Sequence, residues 1–268
     1  MTHLTQNQLM DQAPSIFTEV PSENTSSKYR LYSTAMVIER LRTQGWYPTM
    51  ATQKRVRNPE NQGFQKHMVR MRLAGRDNNG LTMQVDDVIP QIVIVNSHDA
   101  LSSFRLHAGL YRLVCSNGLV VADSTFSSIA VRHKGFDPDD VVDAAFEVVK
   151  TVPQIIDSVD SMKAIKLSKT DKLAFAKAAI PLRWEEKGNE KAPVEPHQLL
   201  EAKRWEDKED DLFTTYNVIQ ENIIRGGVKG KTRTNRKIKT VGVNSIDENV
   251  KINKALWVLA EEMKKYKS

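Results

Sequence analysis

The segment His67-Met-Val-Arg-Met-Arg-Leu-Ala-Gly75 decides the fold class. It alternates strictly, with Met68, Arg70 and Arg72 on one face and Val69, Met71 and Leu73 on the other, which is the period of a strand. Arg76-Asp-Asn-Asn-Gly80 follows as a turn, because Asn and Gly tolerate positive φ. Ile89 to Val95 is a second apolar strand with Pro90 at its start, where a missing N–H is tolerated. Working outward, Trp46 to Val56 reads as a strand closed by the turn cluster Asn58 to Gly63. Leu110 to Val121 reads as two strands or as a helix and a strand, and Ser128 to His133 as one more. These segments predict a central antiparallel sheet of about five strands.

Upstream, Met36, Val37 and Leu41 predict a helix near 33–44, with Gly45 as its C′ residue. Residues 1–27 are polar and read as a flexible arm. Downstream, the period changes. Asp137-Pro138 supplies an N-cap and N1 pair, and Val141, Ala145, Val148, Val152, Ile155 and Val159 make a helical stripe, kinked at Pro153. Ser168 to Asp171 opens a second helix that stops before Pro181. Residues 185–196 read as a polar linker, and 197–225 as a third helix with Leu212, Tyr216, Ile219 and Ile223 on one face. Ser245-Ile-Asp-Glu248 is a capping-box pattern that opens a last helix to about 265. The expected class is α+β: an arm, a core over 28–184, a linker, and a helical C-terminal part over 197–268 with a basic, Gly-rich loop at 225–244.

With 268 residues, 40% hydrophobic and 27% charged, the chain is long enough for a sizeable core. This composition excludes a wholly disordered chain, and no apolar run approaches the roughly 20 residues of a membrane span. The first residues lack the basic and apolar regions of a secretory leader. The single cysteine, Cys115, rules out an internal disulfide and a cysteine zinc cluster. A net charge of +6 makes an acidic partner plausible.

Chemistry concentrates in two basic stretches. The first, Arg225-Gly-Gly-Val-Lys-Gly-Lys-Thr-Arg-Thr-Asn-Arg-Lys-Ile-Lys239, holds seven cations and no acid. Arg225, Lys229, Lys231, Arg233, Arg236, Lys237 and Lys239 would neutralise phosphate. The glycines would let backbone N–H groups approach it, and Thr232, Thr234 and Asn235 would add short donors. A solvated connector is the plainer alternative. Its Gly-Lys-Thr ending lacks the first glycine of a nucleotide phosphate loop, since that position is Arg225. The second stretch carries Lys54, Arg55, Arg57, Lys66, Arg70 and Arg72. An exposed sheet face bearing Arg70 and Arg72 would form a phosphate track, with Trp46, Tyr47 or Phe64 stacking bases. The plainer alternative is an ordinary polar sheet face.

Other constellations are weaker. His107 and Cys115 with Asn117 have the residue types of a nucleophile–base pair, but no oxyanion element accompanies them, and a thiol beside Leu113 and Val114 suits a core. Asp86-Asp87, His98-Asp99 and Asp139-Asp140 lack a recognised metal-ligand spacing. The acidic run Trp205 to Asp211 reads as a solvated helix face. No catalytic residue, metal or cofactor is assigned.

The stretches Phe104 to Val121 and Tyr216 to Glu261, with Gly45 to Arg57 before them, resemble an uncharacterised family of phage, plasmid and integrative-element proteins, a domain of unknown function. The resemblance spans roughly residues 30–263. It implies a mobile-element protein in a bacterial cytoplasm and assigns no catalytic residue. In outline, a helix ending at Gly45-Trp46 before basic antiparallel strands is also similar to phage single-strand annealing proteins. The expected function is sequence-tolerant binding of nucleic acid, single-stranded DNA first, in replication, recombination or repair of a mobile element. The expected assembly is a non-membrane protein, open to homo-oligomerisation. The alternatives are a protein that inhibits a host defence or restriction factor through a host protein partner, and a metal-dependent nuclease.

Overall fold

The computed structural model describes residues 3–73, 88–112, 117–120, 129–131, 138–185, 191–232 and 234–268. It divides near residue 152 into two compact units. The expected class, α+β with an antiparallel sheet and a C-terminal helix, is what the structure has. No helix among the described residues is long and apolar enough to cross a membrane.

The N-terminal unit opens with α1 (Gln6–Gln12) and a 3-10 turn at Pro14–Phe17. Residues 1–27 are therefore not an uncommitted arm, since Leu9, Ala13 and Ile16 are buried. Their signal was present: Thr5 and Gln8 form a reciprocal capping box, a T-x-x-Q pattern legible in the chain. Helix α2 (Thr34–Thr43) starts at Ser33, whose hydroxyl accepts from Met36 N, and ends at Gly45 with φ of +82°. The sheet then runs β1 (Trp46–Gln53), β2 (His67–Leu73), β3 (Val88–Asn96), β4 (Phe104–Arg112), β5 (Asn117–Val120) and β6 (Ile129–Val131). All pairings are antiparallel in the order β1-β2-β3-β4-β5, with β6 also on β4. Helix α3 (Pro138–Lys150) packs on β4 and α2.

Both faces of β2 and β3 are buried, so the strand alternation separates two covered faces rather than core from water. On the face of β2 that carries His67, the polar groups form one chain. The Ser15 hydroxyl, 2.8 Å from Gln53 Oε1, donates there, so it accepts from His67 Nδ1 at 2.9 Å. His67 Nε2, 2.8 Å from Thr34 Oγ1, then accepts from that hydroxyl, while Asn96 Nδ2 donates to Thr34 Oγ1 at 3.0 Å. Each donor meets one acceptor only if the ring is neutral and carries its proton on Nδ1. The His98 ring lies 5.2 Å away. Burial, and then His98, push the His67 pKa down to about 3.

The C-terminal unit begins with α4 (Val152–Ala164) and α5 (Lys169–Ala179). The stripe expected as one kinked helix is two helices broken at Thr151, because Pro153 falls in the first turn of α4 and cannot continue α3. Ala145, Val148, Val152, Ile155 and Val159 are nonetheless all buried. Helix α5 opens at Ser168 as expected, with a reciprocal capping box between Ser168 and Asp171. The expected helix over 197–225 is instead α6 (Pro196–Leu199), an irregular stretch, and α7 (Leu212–Arg225), capped by Asp211. Residues 212–224 are buried around the whole helix. Some of its polar side chains are paired inside: Gln220 Nε2 donates to Asn253 Oδ1 at 2.7 Å, and Asn222 Nδ2 to the carbonyls of Leu199 and Glu201, while the Tyr216 hydroxyl and Asn217 Oδ1 are buried with no hydrogen-bond partner among the described residues. After α7 come β7 (Lys229–Lys231), β8 (Lys237–Lys239) and α8 (Ile246–Lys267). The Tyr216 and Trp257 rings of α7 and α8 meet edge to face at 5.8 Å, both fully buried.

Candidate nucleic-acid interface

The basic stretch at 225–239 is not an irregular loop. It is a β-hairpin with Lys229 opposite Lys239, Gly230 opposite Ile238, and Lys231 opposite Lys237. A two-residue period puts Lys229, Lys231, Lys237 and Lys239 on one face, where all four are exposed, and Gly230 and Ile238 on the other. Thr240 N donates to Val228 O and Thr232 N to Arg236 O. By alternation, the lysines occupy the non-hydrogen-bonded positions, where facing Cα atoms are only about 4.5 Å apart. Like charges directly opposite one another are destabilising. Among the described residues, none of the four lysines, nor exposed Arg236, has an ion-pair partner.

The hairpin has local reasons to form. Asn235 takes φ of +60°, its N–H donates to Thr232 O, and the Thr232 hydroxyl bonds Thr234 and Arg236 N. Thr232, Thr234 and Asn235, expected as phosphate donors, are thus turn residues. The glycines also have another job. A Cβ on Gly226 would stand 2.6 Å from Val241 C, and one on Gly230 would stand 2.3 Å from Pro193 O, so both allow close backbone approach within the protein. Lys231 N donates to Pro193 O at 2.8 Å, which ties the outer edge of β7 to residues read as linker.

Arg225 belongs to a different arrangement. Glu221 receives Arg204 as a two-pronged fork, both bonds 2.7 Å, and Arg225 at 3.1 Å. Burial alone would raise this carboxyl, but the bonds and charge of Arg204, with Lys203 and Arg225, hold it below its ordinary value. Arg233 lies outside the described residues.

The acidic run is also redefined. It lies between α6 and α7, not in mid-helix, and four of its five acids have structural partners: Asp207 with Arg204, Glu209 with Lys166, Asp210 with Lys172, and Asp211 as the cap of α7.

The other predicted residues lie in the N-terminal unit. Lys54, Arg55 and Arg57 are exposed just beyond β1, and Lys66 is half-buried. Arg70 and Arg72 share a face, as expected, but that face is buried, leaving them 5% and 9% exposed. Arg70 donates to Gln91 Oε1 at 3.2 Å, and the Arg72 guanidinium lies 3.4 Å from the Tyr111 ring centre. Burial, then Arg72, pull Arg70 down to about 10, so it is still a cation at neutral pH. These two arginines do not form an exposed track. The stacking trio fares similarly: Trp46 is buried, Tyr47 is half-buried against His3, and Phe64 is half-buried.

His107 is buried on β4, while Cys115 lies outside the described residues. His98 is buried, and Asp99 Oδ1 accepts from Leu101 N in a local turn. Asp86 and Asp87 lie outside the described residues. Sequence reasoning missed Trp184, a half-buried ring beside a groove of about 490 Å³ in the C-terminal unit. Its signal was faint: one tryptophan just before a polar, Pro-containing stretch.

Two Escherichia coli K12 proteins are similar over 97% of the chain and 91% of their own length: UPF0380 protein YfjQ at 36% identity and UPF0380 protein YafZ at 37%. No solved structure matches. Residues 22–257, covering both the sheet and the lysine hairpin, match the family described as "Domain of unknown function (DUF932)", and the chain belongs to that family.

Proposed function

We propose that the protein binds nucleic acid, without sequence preference, through the lysine face of the β7–β8 hairpin. One observation carries this reading: Lys229, Lys231, Lys237 and Lys239 face the same way at the closest cross-strand positions, exposed and without ion-pair partners among the described residues. That arrangement costs stability in the free protein, and a polyphosphate backbone would offset the repulsion. Engagement of the acidic run by its own cations counts against the alternative of a host-factor inhibitor in which that run would mimic DNA. We extend this proposal to a place in replication, recombination or repair of a mobile element, in keeping with the outline similarity to phage single-strand annealing proteins.

Replacing the four lysines with Gln tests the reading. The fold should survive, with unfolding at or above the wild-type temperature, because the substitutions relieve repulsion. The slope of log affinity against log salt should flatten by about 0.7 for each lost single-strand phosphate contact, or roughly 3 for all four. An unchanged slope would remove the hairpin from the contact surface.

A further inference from the structure

Beside the hairpin lies a groove of about 490 Å³, within the size range of small-ligand sites. Its lining includes Arg183, Trp184, Lys191, Pro193, Glu248 and Lys251. Pro193 belongs to both features: it lines the groove, and its carbonyl accepts from Lys231 N on the edge of β7. The groove therefore adjoins the hairpin at the edge of β7.

Trp184 is held in place before any ligand arrives. Its backbone N–H donates to Ile180 O, which fixes the main chain, and the Arg183 guanidinium lies 4.8 Å from its ring centre, which braces the ring. That guanidinium is itself fixed by bonds to the carbonyls of Ile223, in the last turn of α7, and Val241. An immobilised aromatic ring that is still partly open to solvent is a preorganised stacking surface. Lys191 and Lys251 are exposed cations without ion-pair partners among the described residues. Glu248 also faces the groove; burial lowers the Arg183 pKa, and the Glu248 charge partly opposes that.

This lining mixes an aromatic plane, cations and two carboxylates, Glu185 and Glu248. A bare phosphate would be repelled by Glu248. A nucleotide satisfies all three: its base stacks on Trp184, an exocyclic amino group meets a carboxylate, and its phosphates lie toward the lysines.

We propose that the groove takes an unpaired nucleotide of a single strand whose backbone runs over the lysine hairpin, so that Trp184 makes the protein prefer single strands to duplexes. This inference rests on the nucleic-acid reading above. A paired base presents only its edge and cannot stack on the ring.

The test uses a mixed deoxyadenosine and deoxycytidine oligonucleotide, whose bases carry exocyclic amino groups, and a duplex of equal length, with full-length protein. Trp184→Ala should weaken single-strand affinity about tenfold, the loss of one base–aromatic stack, and leave duplex affinity and the salt slope unchanged. Trp184→Phe should restore most of the loss. In a Trp205→Phe background, oligonucleotide should quench tryptophan emission, because Trp46 and Trp257 are buried and Trp184 is the remaining ring at the surface. Single-strand affinity within twofold of wild type in Trp184→Ala, equal weakening for both strands, or absent quenching would overturn the groove while leaving the hairpin's salt slope intact. Failure of wild-type protein to bind either strand would overturn both readings.

Discussion

Lowering the pH from 7 to 4 should remove about 3 kcal/mol from the stability of the N-terminal unit through His67 alone. The ring is fully buried, with a pKa pushed down to about 3, against 6.5 in the unfolded chain. Because the folded value is the lower one, the stability contributed by the neutral ring is complete above about pH 6.5 and is lost as pH falls toward 3. Each pH unit between those limits costs about 1.4 kcal/mol. The geometry explains why the ring resists protonation. A proton on Nε2 would face Thr34 Oγ1, whose hydrogen already points at that nitrogen and whose lone pair already receives Asn96. Rotating the threonine would leave its O–H without an acceptor. Urea unfolding of wild type and His67→Gln between pH 7 and pH 4 isolates the effect from that of the carboxylates. The variant should start less stable and show a pH slope shallower by about one proton. Identical slopes would mean that water reaches the ring in the folded state. Hydrogen exchange of the β2 and β3 amides should report the same loss.

How far this fold was readable depended on how local each determinant is. Helices α2, α5 and α8 begin at Ser33, Ser168 and Ser245, whose hydroxyls bond backbone N–H groups three residues on. Such caps can be read from sequence because both partners lie within one turn. Strands β2 and β3 were legible from period and composition. What covers their faces was not, since alternation reports that two sides differ and says nothing of the neighbours. Arg70 and Arg72 were placed on one face correctly, yet that face is closed, with Gln91 and Tyr111 as neighbours drawn from other strands. The stretch at 200–211 looked helical because its charges suit a solvated face. Its acids are instead held by Lys166, Lys172 and Arg204, two of them about 40 residues away in the chain. The candidate site divides the same way. The identities of the lysines were plain, but their common face follows from hairpin register. The pattern Lys-Gly-Lys, Thr-Arg-Thr-Asn-Arg, Lys-Ile-Lys was a strand–turn–strand signal overshadowed by glycine count and charge.

Three glycines around this hairpin should respond to alanine in sharply different degrees. Gly226 follows α7 with φ of +70° and ψ of −149°, a region essentially restricted to glycine. An added Cβ would also meet Val241 C at 2.6 Å, and Thr240 O and Val241 O at 2.7 Å. All three are backbone atoms, so relief requires moving the connection between β8 and α8 away from the end of α7. Gly226→Ala should therefore cost about 3 kcal/mol or more. Gly227 has φ of +79° but nothing within 4 Å of the added carbon, so Gly227→Ala should cost only about 1 kcal/mol of backbone strain. Gly230 has no unusual φ, but its Cβ would stand 2.3 Å from Pro193 O. That carbonyl can withdraw by giving up its bond from Lys231 N, so Gly230→Ala should fall between, at about 2 kcal/mol. Urea unfolding of the three variants gives the order directly, and equal costs at 226 and 227 would refute the backbone contact. The same series separates charge from placement. Each variant keeps every lysine, so if the proposed binding depends on how the hairpin is held, Gly226→Ala should weaken affinity under conditions where Gly227→Ala does not.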